Sequence, residues 1–451
     1  MFIKQIYTGC LSQASYYIES GGEAIIIDPI RDSNLYIDLV KSRQSNVKYI
    51  FETHFHADFI SGHLDLKNIF NSEIVFGSVA DTSYKTIKAK NNSIFNIGSL
   101  KIKVLHTPGH TPESVCYLLY DLNDNEYCVF TGDTLFIGDV GRPDLAISSS
   151  VSKSDLASQL YDSLRNILMK LNDNVIVYPA HGPGSACGKS FSKETFSTIG
   201  EQKKKNYALQ EMSKEQFIEV VLDGILSPPL YFSHDAKMNK EGYRETIDVI
   251  EGNLKIFPKS NLEKEILNGT IILDVRSGND FEQGFIISSI NITKTFQSFA
   301  TWVGAVIPFY KDIIIVCYPG EEKEVITRLA RVGYENVLGF ITDFNDIDSN
   351  KIKTLDSIYP DQMFSSDFSD ATFLDVRKPI ELETMGKVNH SINIRLQELT
   401  NSLSNLDPEK KYLVYCAGGY RSMIASSILK SNSFKFVYNI YGGFNNMRNF
   451  L

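Results

Sequence analysis

From residue 1 to about 245 the chain reads as short apolar runs broken by Gly, Asn and Asp turns. The runs Glu23–Asp28, Val47–Phe51, Leu100–Leu105, Tyr127–Phe130 and Val175–Tyr178 are rich in β-branched and aromatic side chains, which predicts strands. A polar cluster follows each run. Loops at strand ends are where a rigid sheet can aim several side chains at one point, so these clusters are the first place to look for chemistry.

Beyond residue 250 the pattern repeats after about one hundred residues. Ile272-Leu-Asp274-Val-Arg276 returns as Phe373-Leu-Asp375-Val-Arg377, and Ser289-Ile-Asn291-Ile292 returns as Ser391-Ile-Asn393-Ile394. The apolar strand Ile313–Cys317 is answered by Tyr412–Cys416, each followed by a loop and an apolar helical pattern. Two copies of one small α/β domain follow, at 256–350 and 355–451, with a junction where Asn, Ser, Asp and Lys gather between Asp346 and Thr354.

The length of 451 residues exceeds what one hydrophobic core serves, and 43% hydrophobic with 22% charged residues is the balance of a globular chain. A formal charge of −9 argues against a nucleic-acid partner, since phosphates demand clustered Lys and Arg. The basic run Lys203–Lys205 sits beside Glu201 and reads as a solvated helix face. No run of eighteen apolar residues predicts a membrane span, and the N-terminus lacks a secretory pattern, so a cytoplasmic location is expected. Six scattered cysteines without paired spacing do not outline a disulfide framework.

Histidines and carboxylates gather in four clusters. These are Thr53-His54-Phe-His56-Ala-Asp58-Phe59, Thr107-Pro-Gly-His110-Thr-Pro-Glu113, Thr131-Gly-Asp133 and Pro179-Ala-His181-Gly. In that order on strand-end loops they resemble the metallo-β-lactamase fold, an αββα sandwich, over residues 1–245. Many members of that family hold two metal ions and need a histidine directly after the Asp of the first motif; here the residue is Phe59, which cannot ligate. Together with Gly141-Arg142-Pro143-Asp144, this resembles the persulfide dioxygenases, a subgroup with a single iron. The resemblance implies one Fe(II) per chain on His54, His110 and Asp133. Two imidazoles and one carboxylate leave open positions on iron, the arrangement of non-haem enzymes that activate dioxygen.

His56, Asp58 and His181 then surround the ligands, orienting them or making ordinary loop hydrogen bonds. Arg142 reads either as a fork for a substrate carboxylate or phosphate, or as a surface arginine in a turn. Cys187, in Gly182-Pro-Gly-Ser-Ala-Cys187-Gly-Lys189, reads as a thiol that touches the incoming persulfide or as a small buried side chain.

In the last repeat, the strand ending at Tyr415 runs into Cys416-Ala417-Gly418-Gly419-Tyr420-Arg421-Ser422 and an apolar helix. Such a loop turns backbone N–H groups inward over a helix N-terminus, and both stabilise an anion. The segment resembles the rhodanese active loop, with Asp375-Val-Arg377 as its upstream signature. Four residues between Cys416 and Arg421 suit a group smaller than phosphate, so the resemblance implies a persulfide on Cys416. The earlier copy carries Cys317-Tyr-Pro-Gly-Glu321-Glu322, whose acids oppose a thiolate, and is expected to be an inactive spacer or assembly surface.

The fold expected is therefore an αββα sandwich followed by two three-layer α/β/α rhodanese-like domains. The activity implied is oxidation of a low-molecular-weight thiol persulfide with O2 to sulfite, coupled through Cys416 to thiosulfate formation, as in sulfide detoxification. The carrier thiol is open among glutathione, coenzyme A, bacillithiol and cysteine, and so is the direction of the sulfur step. A two-zinc glyoxalase-type thioester hydrolase is the rival. The resemblance also implies a homo-oligomer, a dimer or tetramer, joined through the metal domain.

Overall fold

The computed structural model describes residues 1–189, 192–295 and 298–451 and divides into two compact units. One comprises Met1–Val249 with Ala330–Gly333, the other Ile250–Leu329 with Tyr334–Leu451.

In the first unit the strands β1 (Phe2–Thr8), β2 (Gln13–Ser20), β3 (Glu23–Ile27), β4 (Asn46–Phe51), β5 (Glu73–Gly77) and β6 (Ile87–Ala89) form one sheet in chain order. The second sheet contains β7 (Ile94–Ile97), β8 (Leu100–His106), β9 (Val115–Tyr120), β10 (Glu126–Gly132), β11 (Ile176–Pro179) and β12 (Ser197–Thr198), again in order. The apolar runs read from the sequence are β3, β4, β8, β10 and β11.

Strand β9 shows why the stack forms. It is apolar throughout because both its faces are buried: Tyr117 and Leu119 turn to the space between the sheets with Ile27, Phe51 and Phe130, while Cys116 and Leu118 turn to the opposite face. On that face the helices Lys153–Asn166 and Lys214–Leu222 supply Leu160, Leu164, Phe217 and Val221. Helices Ser33–Arg43 and His63–Phe70 bury Tyr36, Val40 and Leu66, and Leu66 lies on a helix beside β4 and β5. The result is the αββα sandwich.

The second unit holds two parallel sheets. Strands β13 (Ile271–Asp274), β14 (Phe285–Ile286), β15 (Ser289–Asn291), β16 (Ile313–Val316), β17 (Val337–Ile341) and β18 (Ile352–Lys353) belong to the first copy of the repeat. Its main sheet has the order β15-β13-β16-β17, and the short antiparallel pair β14–β18 carries this copy past residue 350 to Lys353. Strands β19 (Asp356–Ile358), β20 (Thr372–Asp375), β21 (Ile392–Asn393), β22 (Lys411–Tyr415) and β23 (Phe436–Ile440) form the second copy in the order β19-β23-β22-β20-β21.

The repeated Asp-Val-Arg closes each central strand in the same way. Arg377 donates to both oxygens of Asp375, with Nη2 to Oδ2 at 2.6 Å, and Arg276 does the same to Asp274. No helix among the described residues is long and apolar enough to cross a membrane.

Candidate metal centre and sulfur-transfer loop

Three loops bring the first donor set together. His54 follows β4, His110 follows β8, and Asp133 is the residue after β10; their donor atoms all lie within 4.8 Å of one another, and all three residues are buried. His110 Nε2 stands 3.4 Å and His54 Nε2 3.9 Å from Asp133 Oδ2. The other ring nitrogens are tied back. His110 Nδ1 donates to the Arg142 carbonyl at 2.9 Å, and His54 Nδ1 lies 2.9 Å from Thr53 Oγ1. Thr53 Oγ1 in turn donates to Asp28 Oδ2 at 2.8 Å. Both imidazoles are thus fixed with Nε2 toward the common point, the arrangement that outer partners impose on metal-bound histidines.

Charge supports this reading. Burial first, then neighbouring His56, holds the His54 imidazole well below the usual histidine range, so it is neutral and able to ligate. Burial would raise Asp133, but His181, His110 and His54 outweigh it and keep the carboxyl ionised. Its Oδ1 accepts from His181 Nδ1 at 2.8 Å, while Oδ2 is buried with no hydrogen-bond partner. An ionised oxygen left this way is costly unless a cation meets it, so the residues fit a metal ion.

Two further clusters have metal-like spacing, Asp58–His181–Cys187 and Asp28–Glu52–His56, but their imidazoles already serve carboxylates. His181 lies 2.8 Å from both Asp58 and Asp133, and these charges outweigh burial to raise it well above the usual histidine range. His56 lies 3.2 Å from both Asp28 and Glu52; burial would lower it, yet the two carboxylates lift it to about 10. Phe59 stacks on His56 at 4.3 Å between ring centroids. Both histidines thus sit against carboxylates beside the donor set, His181 between Asp58 and Asp133 and His56 between Asp28 and Glu52.

The side chains of Arg142 and Cys187, the substrate-side candidates, are both buried. The Arg142 guanidinium grips both oxygens of Asp144, at 2.6 and 2.7 Å, and reaches the carbonyls of Leu226 and Ala186. Its contribution to the centre is the backbone carbonyl on His110. Gly141 makes that approach possible, since a Cβ there would stand 1.9 Å from the Asp133 carbonyl oxygen. Cys187 is 1% exposed, and burial, then Asp58 and Asp133, pushes its thiol up, so it is a buried protonated side chain. A cavity of about 610 Å3 reaches the centre at His110, between apolar Phe55, Leu145 and Phe232 and the ammonium groups of Lys237 and Lys240. Neither Arg142 nor Cys187 lines it.

In the second unit Cys416 follows β22 and the helix Tyr420–Ser431 begins at its loop. The Gly419 N–H points at Cys416 Sγ, 3.1 Å away, with Gly419 at φ 100°, backbone that favours glycine. Cys416, Gly418, Tyr420 and Arg421 face one cavity of about 490 Å3. Arg421 is held by Glu381 through contacts of 2.7 and 2.6 Å. Ala417 and Ser422 shape the loop and do not line that cavity: the Ala417 carbonyl accepts from Asn445 N–H, and the Ser422 hydroxyl is engaged by the Gly419 carbonyl and Asn439.

The strand register also settles where Cys317 belongs. Asp274 pairs with Val316 as Asp375 pairs with Tyr415, so the next residues, Cys317 and Cys416, are equivalent. Burial, followed by Glu322 and Glu321, pushes the Cys317 thiol up to about 12.

The profile of the metallo-β-lactamase superfamily matches residues 8–181, and that of the rhodanese-like domain matches 259–347 and 361–449. A solved metallo-β-lactamase from Staphylococcus aureus subsp. aureus COL is similar at 32% identity and TM-score 0.67, over 76% of this chain and 98% of that one. Hydroxyacylglutathione hydrolase of Dictyostelium discoideum is 38% identical over 167 residues, 36% of this chain and 59% of its own length. Glyoxylase B2 of the same organism is 35% identical, over 42% of this chain and 68% of its own. The chain thus spans less than two thirds of the hydrolase's length.

Proposed function

Given that the chain belongs to the metallo-β-lactamase superfamily and carries two rhodanese-like domains behind that fold, we propose that it is a persulfide dioxygenase coupled to a sulfurtransferase. The observation that carries this reading is the split between two sets of histidines: His54 and His110 converge on Asp133, while His56 lies against Asp28 and Glu52 and Phe59 stands where two-metal relatives need an imidazole. One Fe(II) on His54, His110 and Asp133 would supply open positions for a sulfur ligand and dioxygen.

The protein's part is to hold that geometry and to admit the carrier thiol. His181 and Asp58 fix the carboxylate, Thr53 and the Arg142 carbonyl fix the imidazoles, and the cavity beside His110 is large enough for a small organic thiol. In balance, the persulfide anion, O2 and water give the thiolate, sulfite and two protons. At the second site the Cys416 thiolate attacks the outer sulfur of a persulfide, an S–S bond forms, and the carrier thiolate leaves with the electron pair. Sulfite then takes that sulfur as thiosulfate and returns Cys416 to thiolate. Tethering raises the local concentration of sulfite for the second step. The same reading assigns a reducing cytoplasmic setting and a homo-oligomeric state; among the described residues no cysteine forms a disulfide.

The names of the curated relatives favour the rival, a two-metal thioester hydrolase. One experiment separates the two: O2 uptake by iron-reconstituted protein with persulfides of glutathione, coenzyme A, bacillithiol and cysteine, beside hydrolysis of an acylglutathione thioester. We expect O2 consumption matching sulfite plus thiosulfate, and thiosulfate lost in Cys416→Ser. Two zinc ions per chain and thioester hydrolysis without O2 uptake would refute the proposal.

A further inference from the structure

The first rhodanese-like domain has lost the chemistry of its own loop but helps to build the pocket of the other. The helix Tyr420–Ser431 docks on it: Asn291 N–H donates to Ser427 Oγ at 2.9 Å in a buried contact, and the Tyr420 hydroxyl lies 3.5 Å from the Thr293 carbonyl. Ser298 and Trp302 of the first domain stand in the wall of the cavity that contains Cys416. On the helix Phe299–Val306 the side chains of Phe299, Ala300 and Val303 are buried, whereas Trp302 is half-buried and faces the cavity. An idle spacer has no need to present a large aromatic ring there.

The size and charge of the pocket define what that ring is for. About 490 Å3 falls within the range of pockets that enclose whole organic molecules, roughly 300–1,000 Å3, and far exceeds the needs of an inorganic oxyanion. Its charged groups besides the Cys416 thiolate are Lys378, Arg421 and Glu381, and Glu381 is already paired with Arg421, so the Lys378 ammonium offsets the thiolate and lets an anionic donor approach. We infer that Trp302 is a specificity-determining residue, against which the carbon skeleton of an anionic organic sulfane donor packs while its sulfur meets Cys416. The transfer itself is unchanged. The thiolate attacks the outer sulfur of the donor, the new S–S bond forms as the donor's own S–S bond breaks, and the organic thiolate or sulfinate departs with the electron pair.

This inference rests on sulfur transfer through Cys416, and the test keeps the two apart. In the full-length protein, sulfur transfer to cyanide is measured with inorganic thiosulfate and with benzenethiosulfonate as donors. For Trp302→Ala, kcat/KM with the aryl donor is expected to fall about 10-fold or more through loss of the aromatic contact. With thiosulfate the change stays within about threefold, and Trp302→Phe recovers most of the aryl activity. Equal losses for both donors, or no loss for either, would overturn the inference.

Trp302 is also the chain's single tryptophan, so its emission reports on this pocket alone. Emission is expected to change when the parent takes sulfur from thiosulfate and to stay constant in Cys416→Ser; constant emission in the sulfurated parent counts against the proposal. Should the parent transfer sulfur from neither donor, the sulfurtransferase reading fails and this inference with it.

Discussion

Replacing His56 by Gln tests the assignment of the metal centre most directly. The imidazole is fully buried, 3.2 Å from Asp28 Oδ1 and 3.2 Å from Glu52 Oε2. At an effective dielectric constant of about 20 each contact is worth roughly 5 kcal/mol in gross Coulomb energy, most of it offset by desolvation. Glutamine keeps the volume and removes the charge. Asp28 retains the Thr53 N–H and hydroxyl, and Glu52 retains Ser61 and His63, but the two carboxylates lose their shared cation. Breaking a buried ion pair of this kind costs about 3–5 kcal/mol.

The assay is amide exchange of metal-free protein over Asn46–Ser61, since the single tryptophan lies in the other unit. Protection should fall roughly 100- to 5,000-fold. At saturating metal the metal-to-protein ratio should match the parent. Undiminished protection together with one metal ion lost per chain would make His56 a ligand, and the single-metal argument would fail.

Other substitutions follow from the same geometry. Gly141→Ala puts a Cβ 1.9 Å from the Asp133 carbonyl oxygen and 2.9 Å from His110 Nδ1, so metal affinity measured by titration calorimetry should drop about 100-fold. Gly419→Ala forces a side chain into left-handed backbone at about 1–3 kcal/mol and moves the N–H that faces Cys416. Thiosulfate–cyanide transfer should fall about 100-fold. Cys317, lifted to about 12, should resist iodoacetamide at pH 8, with labelling by mass spectrometry rising about tenfold per pH unit above that. Because its folded value lies above the ordinary thiol value of about 8.5, it favours the folded state below that pH. That contribution is lost as pH rises toward 12, and Cys317→Ser should flatten the alkaline decline in thermal stability.

Much of this architecture is visible in the sequence because it is local. The apolar runs mark β3, β4, β8, β10 and β11, and the Asp-Val-Arg repeat marks two copies of one sheet, since period and spacing act within a few residues. His54, His110 and Asp133 stand out as side chains on strand-end loops. The parts that escape sequence reading act through the backbone or across long chain distances. Asp28 braces Thr53 from the end of another strand, and no motif joins them. Arg142 stands out in the sequence for its guanidinium, but the atom that meets His110 is its carbonyl, which any residue carries. Trp302 lies in the first rhodanese-like copy, and the docking of Asn291 on Ser427 brings that copy to the Cys416 pocket.

The donor set is divided between the two halves of the sandwich: His54 extends from the first sheet, and His110 and Asp133 extend from the second. An ion held there works as a rivet through both layers, so neither can peel away without surrendering a ligand. At a free concentration 1,000 times its dissociation constant, such an ion adds about 4.1 kcal/mol to the folded state. Metal supply would then set the stability of this domain as well as the occupancy of its site.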